Sequence, residues 1–210
     1  MNYDFYIFDC DGVILDSNKI KSDAFVYALN GHSEEDINQL VSYHKINGGV
    51  SRYKKFQYFF TNIHPTHNSE NHIDLALQKF GSYVSKNLLN CNYIPGVISF
   101  LEQLKVSNSK CFVNSGSDEG ELIEIFNKRG ISKFFDEIYG SPNTKSVNNN
   151  KIIESIGHKK NGVFFGDSAI DYHTAKDFNQ DFIYISGSSE WNDPQGSFKK
   201  AIKDFTSCLR

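Results

Sequence analysis

Five short runs of apolar, β-branched and aromatic residues recur along the chain: YDFYIF (3–8), KCFVNS (110–115), DEIYG (136–140), GVFFG (162–166) and DFIYIS (181–186). Several are apolar throughout, the pattern of strands covered on both faces. Helix-like segments alternate with the later runs: 95–105, where Pro95 suits a first helical position, 117–129, stopped by Gly130, and 150–157, 169–178 and 197–206. Strands alternating with helices imply an α/β fold, a Rossmann-like doubly wound parallel sheet.

One interval breaks the alternation. Between about 18 and 92 no strand is evident, whereas SDAFVYALNG, SEEDINQLVSYHK, SRYKKFQYFFTNI and HIDLALQKFGSYVSKNL read as amphipathic helices. The expected organisation is a core from 1–16 and 93–210, with an all-helical cap, 17–92, inserted after the first strand. A 210-residue chain that is 39% hydrophobic and 14% aromatic can hold one domain with such an insertion.

Bulk properties exclude several partner classes. The formal charge is −3, and Lys and Arg are scattered, so no nucleic-acid partner is expected. No apolar run approaches the roughly 18 residues of a membrane span, so no membrane partner is expected either. The start, MNYDFYIFDC, lacks the basic and long apolar regions of a signal peptide, so the chain is read as cytoplasmic. Cys10, Cys91, Cys111 and Cys208 show no CxxC spacing and are expected as reduced thiols. Cys10 alternates away from its neighbours and should face the core. The histidines of 64-HPTHNSENH-72 lack firm zinc spacing and are read as an exposed loop. Oligomeric state has no signature in the sequence.

Chemistry concentrates at the carboxyl ends of the expected strands, where open α/β sheets bind ligands. Asp9 and Asp11 follow the first, Ser115, Gly116 and Ser117 the second, SPNTK with Lys145 the third, and Asp167, Ser168 and Asp171 the fourth. Four carboxylates in one pocket repel unless a cation neutralises them. An all-oxygen set selects a hard ion, Mg²⁺, which also binds substrate phosphate. Lys145 and the Ser115 hydroxyl add positive charge and donors suited to a phosphoryl group.

DxDGV at 9–13, the strand ending in Ser115, Lys145 and GDSxxD at 166–171 together resemble the haloacid dehalogenase superfamily, in particular its Mg²⁺-dependent phosphatases of the β-phosphoglucomutase and phosphoglycolate phosphatase-like subgroup. That resemblance implies Asp9 as nucleophile and Asp11 as general acid and base. It implies a metal held by Asp9, the Asp11 carbonyl and Asp167, with Asp171 as a ligand or as an acid orienting metal water. Ser115, Gly116 and Lys145 would bind the phosphoryl group. Asp11 points to phosphoryl transfer, since a dehalogenase has no leaving oxygen to protonate.

In the insertion, Gly48-Gly49 should end a helix, Ser51 cap the next, and GVSR resembles a substrate-specificity loop, with Arg52 contacting an anionic part of the substrate. Tyr53, Lys54 and His44 are weaker neighbours. Lys21 stands where the mutases of the subgroup carry histidine, and either lies on the surface or reaches the pocket. The expected activity is therefore a phosphatase acting on a small phosphomonoester such as a sugar phosphate. A phosphomutase, a phosphonatase using Lys54 or Lys21 as a Schiff base, and a non-catalytic binder are the alternatives.

Overall fold

The computed structural model describes residues 3–157, 160–191 and 200–209. Six strands, β1 (Phe5–Phe8), β2 (Lys110–Asp118), β3 (Glu137–Ser141), β4 (Gly162–Gly166), β5 (Asp181–Ile185) and β6 (Lys200–Ile202), form one sheet in the order β3-β2-β1-β4-β5-β6. Every pairing is parallel. The chain steps outward from β1 through β2 to β3, then returns to β4 on the other side of β1. A crevice therefore opens between the carboxyl ends of β1 and β4.

Both faces of the central strands are covered, as their continuous apolar runs require. Tyr6 and Phe8 of β1 join Val113, Val163 and Phe165 in one core cluster, while Phe5 and Ile7 join Phe112, Phe164 and Phe182 in the other. Helices α1 (Asn18–Ala28), α2 (Glu34–Ile46), α3 (Arg52–Tyr58) and α4 (Ser69–Leu88) fill the interval after β1, with a π-helical turn at Phe59–Ile63. Their apolar faces close around Phe25, Phe56, Phe59 and Phe80. The two connections to this helical unit pair with each other: Asp16 N–H donates to the Asn92 carbonyl at 2.9 Å and Ile94 N–H to that of Ile14 at 3.0 Å. Entry and exit thus share one short ladder.

Helices α5 (Val97–Val106), α6 (Glu119–Lys128), α7 (Lys145–Ile156) and α8 (Ala169–Asp177) connect the strands. Several boundaries differ from the sequence expectation. Pro95 precedes α5, and Gly96, at φ 79°, takes the N-cap position. β2 continues past Ser115 to Asp118, with a register shift against β3 between Asn114 and Asp118. α6 consequently starts at Glu119, where the Asp118 side chain accepts from Glu121 N–H. α7 begins at Lys145 because Thr144 caps it, accepting from Val147 N–H. The helix expected over 197–206 is replaced by β6 and a 3₁₀ turn at Phe205–Cys208, while 197–199 lie outside the described residues. In the 64–72 stretch, α4 begins at Ser69, so His72 is helical rather than in the loop.

Phe165 sits at the centre of the larger core, fully buried, with ring centroids 4.9 Å from Phe8 and 5.3 Å from Phe205. Phe165→Ala should lower the stability measured by urea unfolding by about 3–5 kcal/mol, with a correspondingly lower midpoint.

Candidate active site

The register that aligns Phe8 with Phe165 brings Asp9 and Asp167 together, each the first residue past its strand. Gly12 makes the approach possible. It has φ +73°, and a Cβ there would stand 2.1 Å from Asp167 Oδ2, so only glycine combines that backbone with that neighbour.

Asp9 is buried. Its Oδ1 accepts from Cys10 N–H at 2.6 Å, and its Oδ2 lies 2.9 Å from Lys145 Nζ. The same ammonium donates to Asp171 Oδ1 at 2.5 Å. Asp171 Oδ2 is taken by the Ser168 hydroxyl at 2.6 Å and by the N–H groups of Ser168 and Asp167, completing a capping box at the start of α8. Both Asp171 oxygens therefore have protein donors. Asp167 Oδ2 accepts from Asn18 Nδ2 at 2.7 Å.

The electrostatics follow from that crowding. Burial, aided by Asp171 and Asp11, pushes the Asp9 carboxyl up to about 7 against the opposing pull of Lys145. Burial and the adjacent Asp9 and Asp171 push Asp167 well above the usual carboxylate range. Burial disfavours the Lys145 ammonium, but Asp171 and Asp9 overcome it and hold the group above its ordinary value. For Asp11, burial again favours the acid, yet Lys21 and the Ser17 and Ser117 hydroxyls win and lower it. Those hydroxyls donate to Asp11 Oδ1 at 2.5 Å and Oδ2 at 2.8 Å.

Asp9, Asp167 and Asp171 offer carboxylate oxygens within 4.8 Å of one another, a grouping that suits a hard cation. A single lysine does not balance three acids, and the raised acids are those a metal ion would deprotonate. Asp9 and Asp167 are the members best placed to ligate, since Asp171 is occupied by Lys145 and Ser168. The Asp11 side chain lies outside this grouping.

The other expected residues also converge. Ser115 is buried in β2, where its hydroxyl accepts from Ser117 N–H at 3.1 Å. At Gly116 a Cβ would meet the Gly49 carbonyl oxygen at 2.2 Å, so the loop of the helical insertion rests directly on β2. Ser51 occupies the N-cap position of α3 without making a side-chain cap bond. Lys21 points inward and is buried; it donates to Ser117 Oγ at 2.9 Å and stands 3.8 Å from Asp11. Arg52 lines the pocket, but its guanidinium is engaged by Glu121 at 2.8 Å and Asp118 at 4.0 Å. Tyr53 also binds Asp118, at 2.7 Å. Lys54 is exposed and does not line this pocket. Cys10 is fully buried in the core.

Sequence reasoning missed Ser17, Asn18, Lys55 and Glu190, and left Ser117 and His44 without roles. Ser17 and Asn18 directly extend the DxDGV segment, which was the available signal. Lys55 carried none beyond its place in α3. With these residues the pocket between insertion and sheet encloses about 660 Å³, open solvent at its mouth included.

Residues 6–185 match the haloacid dehalogenase-like hydrolase family. A predicted phosphoglycolate phosphatase from Haemophilus somnus superposes with TM-score 0.79 at 20% identity, covering 98% of this chain and 96% of that one. A HAD-hydrolase from Bacillus subtilis bound to magnesium, YfnB, superposes with TM-score 0.73 at 15% identity, covering 99% and 97%. A β-phosphoglucomutase from Clostridium difficile gives 0.68 at 19%, covering 87% and 84%. No curated protein sequence matches the chain.

Raised acids make cation binding compete with protons. Asp9 at about 7 is largely protonated at pH 5.5 and largely ionised at pH 7.5, so Mg²⁺ affinity should rise about tenfold or more over that interval. Isothermal titration calorimetry at the two pH values, with proton release read from buffer-dependent enthalpies, checks this.

Proposed function

The chain belongs to the haloacid dehalogenase-like hydrolases, and from that premise we propose that it is a Mg²⁺-dependent phosphatase of small phosphomonoesters, working through an aspartyl-phosphate. The observation that carries this reading is the buried chain Asp9–Lys145–Asp171, with contacts of 2.9 and 2.5 Å, beside Asp167. It offers one carboxylate nucleophile and fixes a cation where phosphoryl charge would lie.

In this reading a carboxylate oxygen of Asp9 attacks phosphorus. The bond to the leaving oxygen breaks, Asp11 gives that oxygen a proton, and the phosphoryl group stays on Asp9. Asp11, again a carboxylate, takes a proton from water, which displaces Asp9 and yields phosphate. Held ionised at rest, Asp11 is ready for the base step. The acid step uses the proton that Asp11 took from water in the preceding turnover, so the proton balance closes over the cycle. Lys145 and the Ser115–Gly116 segment bind the phosphoryl oxygens. Bound Mg²⁺, held by Asp9, Asp167 and the Asp11 carbonyl with Asp171 in support, supplies charge neutralisation.

Residues 17–92 act as a cap in this scheme. Their loop closes on β2 at Gly116, and the Arg52–Glu121 pair ties α3 to α6, which keeps bulk water from the intermediate. A roofed pocket suits a small metabolite such as a sugar phosphate. Among the described residues no helix is long and apolar enough to cross a membrane, and a cytoplasmic setting fits such a substrate.

Phosphate release from p-nitrophenyl phosphate and a metabolite panel, with and without Mg²⁺, tests the reading. Activity should require the ion, vanish in Asp9→Asn, and fall about 10²–10⁴-fold in Asp11→Asn on alkyl phosphates. No release from any compound would sink it. Accumulation of a hexose 6-phosphate from the 1-phosphate and its bisphosphate would move the assignment to a phosphomutase.

A further inference from the structure

The cap side of the pocket holds four cations, Lys21, Lys45, Arg52 and Lys55, and three of them have an acid nearby. Lys21 lies 3.8 Å from Asp11 and 3.6 Å from Glu121, Lys45 lies 3.8 Å from Glu190, and Arg52 lies 2.8 Å from Glu121. Lys55 differs. It is 2% exposed, and among the described residues no carboxylate comes within ion-pair distance of its ammonium. Its one hydrogen-bond partner there is His44 Nδ1, at 2.7 Å. Phe25 completes the enclosure, its ring 5.9 Å from the ammonium and tilted against the His44 ring with centroids 4.7 Å apart.

If Lys55 donates to Nδ1, the neutral imidazole carries its proton on Nε2. That atom is buried and has no partner. Burial and the neighbouring Lys55 hold His44 well below its usual value, in keeping with the neutral ring. The pocket thus contains a buried ammonium lacking a counter-ion beside a buried N–H lacking an acceptor. The two lie on opposite sides of the imidazole ring, so an anion in the pocket meets the ammonium's deficit, with His44 orienting Lys55 through Nδ1.

We propose that Lys55, positioned by its hydrogen bond to His44, forms a subsite for a carboxylate carried by the phosphorylated substrate, making the preferred substrate class a phosphorylated sugar acid. This rests on the phosphatase reading and names its specificity. A carboxylate is favoured over a second phosphate because Asp11 and Glu190 also act on Lys55 from within the pocket. A monoanion balances the site, whereas a dianion adds repulsion. Arg52 also lines the pocket, but its guanidinium is already engaged by Glu121 at 2.8 Å.

The test uses Asp9→Asn protein with Mg²⁺, in which bound substrate is not turned over. Calorimetry compares gluconate 6-phosphate with glucitol 6-phosphate, which differ only by carboxylate against hydroxymethyl. The gluconate compound should bind about tenfold tighter or better. Adding Lys55→Met should bring the two affinities within about twofold of each other; Lys55→Gln serves if the methionine variant does not fold. Equal affinities in the Lys55 protein, or a preference that survives its replacement, overturn the subsite. Tighter binding of glucitol 1,6-bisphosphate than of the gluconate compound overturns the carboxylate assignment. Hydrolysis of p-nitrophenyl phosphate by the unsubstituted protein is scored separately, so failure of the phosphatase reading is distinguishable.

Discussion

Lys145 is the group on which the site depends. It is the first residue of α7, and its ammonium joins the acid following β1 to an acid in the first turn of α8. Three elements far apart in sequence are fixed at one point by a single buried charge. Removing it would leave Asp9, Asp167 and Asp171 facing one another in a region of low dielectric, where like charges cannot all remain ionised. The capping box at Ser168 and Asp171 serves the same end. It starts a helix and spends both oxygens of one acid on protein donors, so the carboxylates left for a cation are Asp9 and Asp167.

The fold's connectivity explains why the helical unit can close over this point. Its two strands of connection pair at Ile14–Asp16 and Asn92–Ile94, immediately after the DxDGV turn. The unit is thus anchored to the sheet beside Asp11. At the far side the unit meets the sheet by backbone contact, Gly116 against Gly49, and through Arg52 and Tyr53, which bind Glu121 and Asp118. The backbone contact tolerates no added side chain, and the Arg52–Glu121 pair beside it is largely buried.

Legibility from sequence tracked how local the determining signal is. Continuous apolar runs identified β1 to β5, and residues just beyond them supplied Asp9, Asp11, Lys145, Asp167 and Asp171, because parallel topology alone brings strand ends together. β6 left no such trace: Lys200–Ile202 is short and mostly exposed, so the pattern read as helix. Ser115 was placed at a strand end, yet the register irregularity between Asn114 and Asp118 extends β2 and keeps Ser115–Ser117 within it. The cap was harder for a different reason. Adjacent lysines 54 and 55 are equivalent by composition, and helical phase decides between them: Lys54 faces out and Lys55 is buried. Arg52 was read as contacting an anionic part of the substrate; the acids that engage it, Asp118 at the end of β2 and Glu121 in α6, lie far away in sequence, where no local pattern points to them.

Lys55 shows what such a buried charge means energetically. Burial lowers its pKa to about 7 despite attraction from Asp11 and Glu190, so near neutral pH its charge is only marginally maintained. A side chain chosen for stability alone would be apolar there, since an unpaired ammonium in a closed pocket opposes folding. The deficit is confined to the space that a substrate enters, next to a histidine whose ring nitrogen is equally unsatisfied. Anion binding at the ammonium would offset the lysine's penalty and raise its proton affinity. The charge that opposes folding is then the same charge that would discriminate between ligands.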